Sequence, residues 1–203
     1  MLSIFGIIAR NGTIDDQIIK QLMNMQEDLH FGIGRKRKKS SIGLHDLDKI
    51  SFPLTYTTST REHSFVPLNS ESESTIEQIL SETEVGKNYG WVLGDSKNVP
   101  IIVDADGTTI SFPPIINAAV TTVTTKTKNM LVEVTSLDQD AAEDMLSVVT
   151  SILQMAGFEI IQLTISGKKN STPKLNSRII QYDIKLTEEI LGLNLSPSAM
   201  ISS

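Results

Sequence analysis

Two consecutive prolines, Pro113 and Pro114, limit what this 203-residue chain can fold into. Each ring fixes φ near about −65° and removes a backbone donor, so the segment cannot lie inside a central strand. The prolines also push the preceding residues towards extended conformations. The segment 111–117 is therefore predicted to be a stiff bend that carries hydroxyl, aromatic and amide side chains. Taken without its neighbours, this segment is more typical of a rigid connection between core strands. Side chains held in a stiff bend are also well suited to binding a ligand.

Periodic patterns along the chain predict three helices. Apolar residues recur at helical spacing within 13–30, 74–83 and 138–156, and the first two stretches begin with residues suited to a helix cap. Gly32 and Gly157 follow the first and third stretches, and glycine commonly ends helices. The apolar stripes place three methionines in the core, namely Met25, Met145 and Met155.

Strand-like segments lie between the helices without a regular strand–helix–strand alternation. Residues 130–135 alternate, with even-numbered side chains on one face and odd-numbered ones on the other. A turn sequence at 104–107 predicts a hairpin between 100–103 and 108–112. Further strands are predicted at 2–9, 41–44 before a turn at 45–48, 54–58 pairing with 65–68, and 158–166 pairing with 178–186. We predict an α+β fold with largely antiparallel or mixed β sheets layered with flanking helices.

The composition is that of an ordinary globular protein. Charged residues make up 21% of the chain and mean hydropathy is −0.03, which fits neither a disordered nor a membrane-embedded protein. The absence of cysteine excludes disulfides, thiolate nucleophiles and cysteine-ligated zinc. A net charge of −6 argues against broad binding to polyanions, so a nucleic acid would have to meet a local basic patch. With no apolar span and no secretory pattern, we expect a cytoplasmic protein.

The proline segment and its neighbours together resemble one protein family. The blocks are GRKRKK at 34–39, IGLHDLDKI at 42–50, PIIVD at 100–104, DG at 106–107, SFPPIIN at 111–117, VT at 120–121, KN at 128–129 and LVEVT at 131–135 with Asp138. In that order they look like the amino-acid-editing module of the β subunit of phenylalanine–tRNA ligase, in its archaeal and eukaryotic form. Residues 191–196 are similar to the start of that subunit's next, winged-helix-like module. The resemblance implies an editing domain at 1–186 and the start of the linker or next module at 187–203, in a fragment of a longer subunit.

The function that the resemblance implies is hydrolysis of tyrosine misattached to phenylalanine tRNA. A pocket shaped for phenylalanine cannot strongly reject a ligand that only adds a hydroxyl, whereas a second site requiring the hydroxyl can reject phenylalanine by about 10⁴–10⁵. The resemblance implies that Glu133 accepts a hydrogen bond from the phenol. The residues alone favour an outward-facing Glu133 on a half-solvated strand. Substrate contacts are also implied for Ile102, Phe112, Pro113 and Thr135.

Three residues are candidates for the chemical step: Ser111, Asn117 and His45. The resemblance implies that Ser111 and Asn117 line the pocket, where they can hold the ester carbonyl, the amino group or a water. No Ser/His/Asp arrangement is visible in the sequence, which favours hydrogen bonding over nucleophilic attack for Ser111. His45 is a candidate general base or support, because histidine exchanges protons near neutral pH. A histidine in a surface turn is the alternative.

Five basic residues in a row, at 35–39, form a concentrated positive charge. Such runs usually lie in solvent, but beside a tRNA end they could contact phosphates. We predict Arg35, Lys36 and Lys38 as tRNA-binding residues. We predict no metal site and no cofactor for editing, since ATP and Mg²⁺ would serve only the full ligase. The implied partners are the aminoacylated end of phenylalanine tRNA, the α subunit and the remaining β-subunit domains, with no membrane.

Two alternatives stay open on the sequence. One is a non-catalytic module that binds tRNA or contacts another subunit. The other is a free-standing hydrolase that edits in trans, against which the segment after Leu191 argues because it looks like the start of a further module.

Overall fold

Two antiparallel sheets, stacked face to face, form the centre of the molecule. The structure, a computed structural model, describes residues 3–166, 171–173, 181, 183–194, 196 and 198. Within these residues the first sheet has the strand order β11 (Ser171–Thr172), β10 (Glu159–Thr164), β1 (Ser3–Arg10), β9 (Met130–Ser136) and β2 (Ser40–Asp46). The second has the order β3 (Thr55–Thr60), β6 (Asn98–Val103), β7 (Thr109–Phe112) and β8 (Ile116–Asn117). A small separate pair joins β4 (Ser64–Phe65) and β5 (Ser74–Thr75).

Helices cover the outer face of each sheet. Two helices pack on the first sheet through a shared apolar core, α1 (Asp16–Phe31) and α4 (Gln139–Met155). Two shorter ones pack on the second sheet, α2 (Ile76–Glu82) and α3 (Glu84–Tyr89). The last described helix is α5 (Ile184–Leu191), which ends at Gly192 in the left-handed conformation with φ 65°.

The inner faces of the two sheets meet through aliphatic side chains. Ile8 and Leu131 of the first sheet contact Ile102 and Ile110 of the second, and all four are buried. The layers therefore run helices, sheet, sheet, helices. The α+β class with antiparallel sheets and flanking helices is confirmed.

Several elements form where local sequence predicted them. Asp15 and Asp138 cap α1 and α4 by accepting hydrogen bonds from the Ile18 and Ala141 N–H groups at 2.8 and 3.0 Å. Gly157, with φ 87°, follows the end of α4. β6 and β7 form the predicted antiparallel hairpin. The alternation of 130–135 is also confirmed, because the even-numbered residues pack under α1 and α4 and the odd-numbered ones face the second sheet.

Other local predictions were wrong. Residues 45 and 46 continue β2 instead of turning, and the turn begins only at Leu47. β3 pairs with β6 rather than with 65–68, and β4 pairs with β5. The segment 84–89 forms an unpredicted helix. Of the predicted strand 178–186, residues 184–186 begin α5 instead, while 178–180 and 182 lie outside the described residues. Met155, the last residue of α4, was predicted to lie in the core but is 89% exposed.

The predicted boundary at residue 186 falls inside α5, and the division into 1–186 and 187–203 stays a prediction. Among the described residues, no helix is long and apolar enough to span a membrane. In the same part of the chain, no group of three or more His, Asp or Glu side chains is placed to hold a metal ion.

Candidate functional site

The proline segment forms the tip of the hairpin β7–β8. Ser111 pairs with Asn117 across it, which leaves both prolines in the turn. The Ser111 hydroxyl donates to Asn117 Oδ1 at 3.0 Å, and Asn117 Nδ2 donates to the Leu44 carbonyl of β2 at 3.4 Å. The hairpin therefore presents two bonded polar side chains to the first sheet.

Arg37 fastens this tip to two helices. Its Nη1 donates to the Pro114 and Ile115 carbonyls at 3.2 and 2.9 Å, and its Nη2 donates to Glu27 of α1 at 2.7 Å. The guanidinium carbon also lies 4.5 Å from the centre of the Tyr89 ring of α3. The arginine side chain is only 11% exposed, and its bonds to the two carbonyls are partly buried, whereas its partner Glu27 is 55% exposed.

Glu133 lies on the inner face of the first sheet, in a notch between two glycines. Its cross-strand neighbours are Gly6 on β1 and Gly43 on β2, and its own side chain is 4% exposed. A Cβ on Gly43 would lie 2.5 Å from Glu133 Oε1, 2.7 Å from His45 Nε2 and 3.1 Å from Asn117 Oδ1. The absence of a side chain at Gly43 therefore leaves room for three polar atoms that converge from the two sheets.

His45 is fully buried near the end of β2, next to Glu133. Its Nδ1 hydrogen-bonds Thr121 Oγ1 at 2.8 Å, and its Nε2 lies 4.0 Å from Glu133 Oε1. Thr121 also donates to the Ala118 carbonyl at 3.3 Å, which favours Thr121 Oγ1 as the acceptor from Nδ1–H. In that tautomer Nε2 is an acceptor facing a carboxylate. Two acceptors at this distance favour a donor between them, such as a water or a phenolic hydroxyl.

Two atoms of this group lack partners. Among the described residues, neither His45 Nε2 nor Glu133 Oε2 has a hydrogen bond, although both are buried. Buried polar atoms in proteins are normally paired, and a bound ligand or water would supply the missing partner.

A cavity of about 470 Å³ opens beside this group. Its polar walls include Ser41, Ser111, Asn117 and Glu133, with Pro113 at the hairpin tip. Aliphatic side chains line much of the rest, among them Ile19, Met23, Ile42, Leu68, Ile115, Ile116 and Val123. Its volume lies within the range of about 300–1,000 Å³ that is usual for small-molecule sites.

Thr135 and Tyr56 face a second, smaller cavity of about 230 Å³. The Thr135 hydroxyl hydrogen-bonds Ser41 Oγ at 2.8 Å. The Tyr56 hydroxyl is buried and has no hydrogen bond within the described part of the chain. Burial raises the pKa of this phenol, and the negative charge of Glu133 raises it further. Tyr56 therefore stays protonated and able to donate.

The basic run splits into exposed and bonded residues. Arg35, Lys36 and Lys38 are exposed, and Lys36 Nζ lies 5.5 Å from the centre of the Phe31 ring. Arg37 is turned inward, and Lys39 forms an ion pair with Asp138 at 2.9 Å. The three residues predicted to bind tRNA are thus the three that face solvent.

Comparison with known proteins identifies the family. The sequence pattern of the B3/4 domain matches residues 15–148, which contain every cavity residue named above. The chain belongs to the B3/4 domain family. Its relatives include the phenylalanine–tRNA ligase β subunit of Archaeoglobus fulgidus, 37% identical over 194 residues, 95% of this chain and 36% of the relative. That of Methanocaldococcus jannaschii is 37% identical over 199 residues, 96% of this chain and 36% of the relative. The chain thus spans about a third of the length of these relatives.

A solved structure is similar to this B3/4 domain along almost its whole length. It is the crystal structure of an N-terminal fragment of the phenylalanyl-tRNA synthetase β-subunit from Pyrococcus horikoshii. The TM-score is 0.86 at 29% identity, and the match covers 98% of this chain and 58% of that chain. The resemblance stated from the sequence is confirmed by these matches.

The B3/4 domain brings together four of the predicted site residues: Ser111, Asn117, His45 and Glu133. Pro113 lines the same cavity as three of them. Other predicted contacts lie elsewhere. Ile102 is fully buried between the sheets, the Phe112 ring is fully buried in the core that α2 covers, and neither lines either of the two cavities described above. Thr135 faces the second cavity.

Four residues that shape the site were missed from the sequence: Gly6, Gly43, Arg37 as an anchor, and Thr121. Gly43 stands between Ile42 and Leu44, and a glycine inside an apolar strand indicates a position where a side chain would not fit. Only the register of β2 with β9 shows that a side chain at Gly43 would collide with Glu133.

Proposed function

We propose that this domain hydrolyses the ester that joins tyrosine to phenylalanine tRNA. The names of the archaeal relatives support action on that tRNA. The observation that carries the proposal is Glu133, a buried carboxylate on the wall of a ligand-sized cavity, whose Oε2 has no partner among the described residues. A phenolic hydroxyl would supply that partner, whereas a phenylalanine ring would leave the carboxylate unpaired.

The direction of selectivity follows from this difference. Leaving a buried polar group unpaired is unfavourable by about 1–3 kcal/mol, and by more for a charged one. The aliphatic walls favour both rings equally, so Glu133 decides between them. Such a site would accept tyrosine and reject phenylalanine, which is the selectivity that an editing site on a phenylalanine enzyme requires.

Water is the nucleophile in the proposed reaction. The Ser111 hydroxyl donates to Asn117, and His45 is bonded to Thr121, so no base activates Ser111. Ser111 and Asn117 would instead orient the ester end or the water. His45 Nε2 lies 4.0 Å from Glu133 Oε1, beside the place proposed for the phenol, so His45 would support that end of the pocket. Positioning and oriented donors would then supply most of the rate.

The proposal assigns partners as well. The substrate is the aminoacylated end of phenylalanine tRNA, delivered in the cytoplasm by a ligase containing the α subunit and the remaining β-subunit domains. Hydrolysis of the ester needs no cofactor, and ATP and Mg²⁺ would serve only the full ligase.

Deacylation of tyrosyl-tRNA and phenylalanyl-tRNA by the same preparation tests this function. We expect tyrosyl-tRNA to be cleaved at least about tenfold faster, since a 1.4 kcal/mol preference already corresponds to a factor of ten. Equal cleavage of both would contradict the role of Glu133. Binding of the tRNA without cleavage of either ester would support a non-catalytic module instead.

A further inference from the structure

The second cavity lies across a wall from the first. Arg37, Ser41, Pro113 and Pro114 line both. At about 230 Å³ the second is smaller than the usual range of about 300–1,000 Å³ for whole ligands. The second cavity is therefore the right size for one compact group of a ligand whose larger part occupies the first cavity.

The two cavities differ in charge. Glu27 and Glu133 line the first, whereas no carboxylate is found among the described residues that line the second. Its walls contain Arg37, Lys38 and Lys39 instead. The charges of Arg37 and Lys39 are offset by Glu27 and Asp138, but Lys38 has no ion pair in the described part of the chain. Of the two cavities, the second has the more positive walls and is the better place for an anion, and Tyr56 on its wall is the residue there on which the charge of Glu133 acts.

Two residues that line the second cavity carry buried donors without acceptors. Tyr56 Oη and Arg37 Nε have no hydrogen-bond partner among the described residues. Leaving such groups unpaired is unfavourable. An anion with several oxygens accepts from both, and Lys38 supplies a mobile ammonium at the rim.

We propose that this second cavity binds a phosphodiester group of the single-stranded nucleic-acid end whose ester occupies the first cavity, an inference that rests on the proposed function. An amino acid esterified to the terminal ribose lies one sugar ring away from the phosphate of the same nucleotide. The two adjacent cavities would therefore hold the two groups that this sugar joins: the aminoacyl ester in the first and the phosphate in the second. Tyr56 and Arg37 donate to the phosphate oxygens, and Lys38 contributes charge.

Titration of the 203-residue chain with three probes tests the assignment: cytidylyl-(3′→5′)-adenosine, adenosine and inorganic phosphate. We expect the dinucleotide to bind at least about tenfold more tightly than either other probe, because only it has both the nucleoside and the phosphodiester. Tyr56→Phe and Lys38→Gln should each weaken the dinucleotide several-fold, up to about tenfold, and leave adenosine unchanged.

Lys97→Gln is the matched control, because Lys97 is exposed and lies between Ser96 and Asn98 of the cavity wall but does not itself line the cavity. It should change dinucleotide binding by less than about twofold. Equal losses in Lys97→Gln and Lys38→Gln would overturn the proposal, since only overall charge would then matter. Unchanged binding in Tyr56→Phe would overturn it too. That variant removes an unpaired buried hydroxyl and should stay folded, which its melting temperature checks.

Two further measurements distinguish failure of the second-cavity proposal from failure of the proposed editing reaction. Inorganic phosphate binding as tightly as the dinucleotide would identify a free-phosphate site and overturn the phosphodiester assignment. Hydrolysis of the tyrosyl ester of adenosine, which has no phosphodiester, tests the proposed function alone. Hydrolysis of that ester without preference for the dinucleotide would overturn only the second cavity. Selective dinucleotide binding without hydrolysis would overturn only the editing reaction.

Discussion

At the scale of single residues, the site depends on what stands next to Glu133. Directly paired residues in a sheet project to the same face, and both partners of Glu133 are glycines. A side chain at Gly43 would take the place of Glu133 Oε1, and one at Gly6 would meet Leu163, so the two glycines leave the room that the carboxylate and its neighbours occupy. A charged group buried without a paired cation is unfavourable, and such arrangements are typical of sites that a ligand completes.

Glu133→Gln should reduce the preference for tyrosyl-tRNA over phenylalanyl-tRNA several-fold, up to about tenfold. The substitution keeps the shape but replaces a charged acceptor, and hydrogen bonds to charged groups are worth about 1.5–3 kcal/mol. The ratio of the two deacylation rates is the measurement. Glu71→Gln, at an exposed position, is the control and should leave the ratio unchanged. A preserved ratio in Glu133→Gln would exclude this carboxylate from discrimination.

Gly43→Ala should slow deacylation by about 10–100-fold, because small displacements of positioned groups have effects of this size. The added methyl group would meet Glu133 Oε1 and His45 Nε2 at 2.5 and 2.7 Å, so both must move. The rate constant for tyrosyl-tRNA, measured well below the melting temperature of the variant, checks this. A wild-type rate would mean that the convergence of the three polar atoms is not used.

At the scale of elements, the hairpin tip is held from outside by a left-handed turn. Arg35, Lys36 and Arg37 have φ of 49°, 55° and 65°, which is unfavourable for non-glycine residues. The turn directs Arg37 inward while its two neighbours stay exposed. Backbone strain at this position is therefore offset by hydrogen bonds that order the β7–β8 hairpin.

Arg37→Lys should lower the free energy of unfolding by about 1–3 kcal/mol and slow deacylation. A lysine keeps the charge but lacks the planar fork that reaches two carbonyls and Glu27 together. Arg35→Lys makes the same substitution at an exposed position of the same turn and should change stability by less than about 0.5 kcal/mol. Denaturant unfolding of both variants measures the difference. Equal effects would show that the turn, not the guanidinium, holds the hairpin.

At the scale of the whole molecule, His30 joins α1 to the edge of the first sheet. Its Nε2 accepts from the Ile42 N–H at 3.0 Å, so Nδ1 carries the proton and donates to Glu27 at 3.2 Å. Burial lowers the pKa of His30 below its usual 6.5, and the bond to Glu27 offsets this only in part. The hydrogen bond from His30 in turn lowers the pKa of Glu27 below 4.5.

The fold should lose stability as pH falls below 6.5. The unfolded chain takes up a proton on His30 there before the folded protein does, so stability rises with pH in this window, by at most about 1.4 kcal/mol per pH unit. Below 4.5 the lowered pKa of Glu27 adds a second loss. Denaturant unfolding at about pH 7.5 and about pH 5.5 measures the first window. His30→Gln, which can still accept from Ile42, should show a flatter dependence, and an unchanged slope would point to other groups.

Local patterns carried most of what could be predicted about the fold. The 104–107 turn and the alternation of 130–135 are set by neighbours in sequence, and both were predicted correctly. The partner of β3 lies some forty residues away and has no local signal. Residues 184–186 alternate like a strand. The Asp183 carboxylate, which accepts from the Lys185 and Leu186 N–H groups, and Gly192 select a helix instead.

The site was predictable only where residue type alone restricts the chemistry. The bend at Pro113 and Pro114 follows from covalent structure, and the structure places it at a hairpin tip. The burial of Glu133 could not be read from its strand, because the face that looked solvated is covered by the second sheet. The convergence of His45, Asn117 and Glu133 likewise depends on registers that join distant strands.

The position of β1 within the first sheet sets the order in which the chain can be assembled. β1 comes earliest in the sequence, yet its partners are β9 and β10, more than a hundred residues later. During synthesis, Phe5 and Ile7 of β1 therefore have no partner strand until residues 130–136 have left the ribosome. Proteins dominated by such distant pairings fold slowly and expose apolar strands meanwhile. The carboxylate notch, made from β1, β9 and β2, therefore cannot form until β9 has been synthesised, although two of its three strands lie within the first 46 residues.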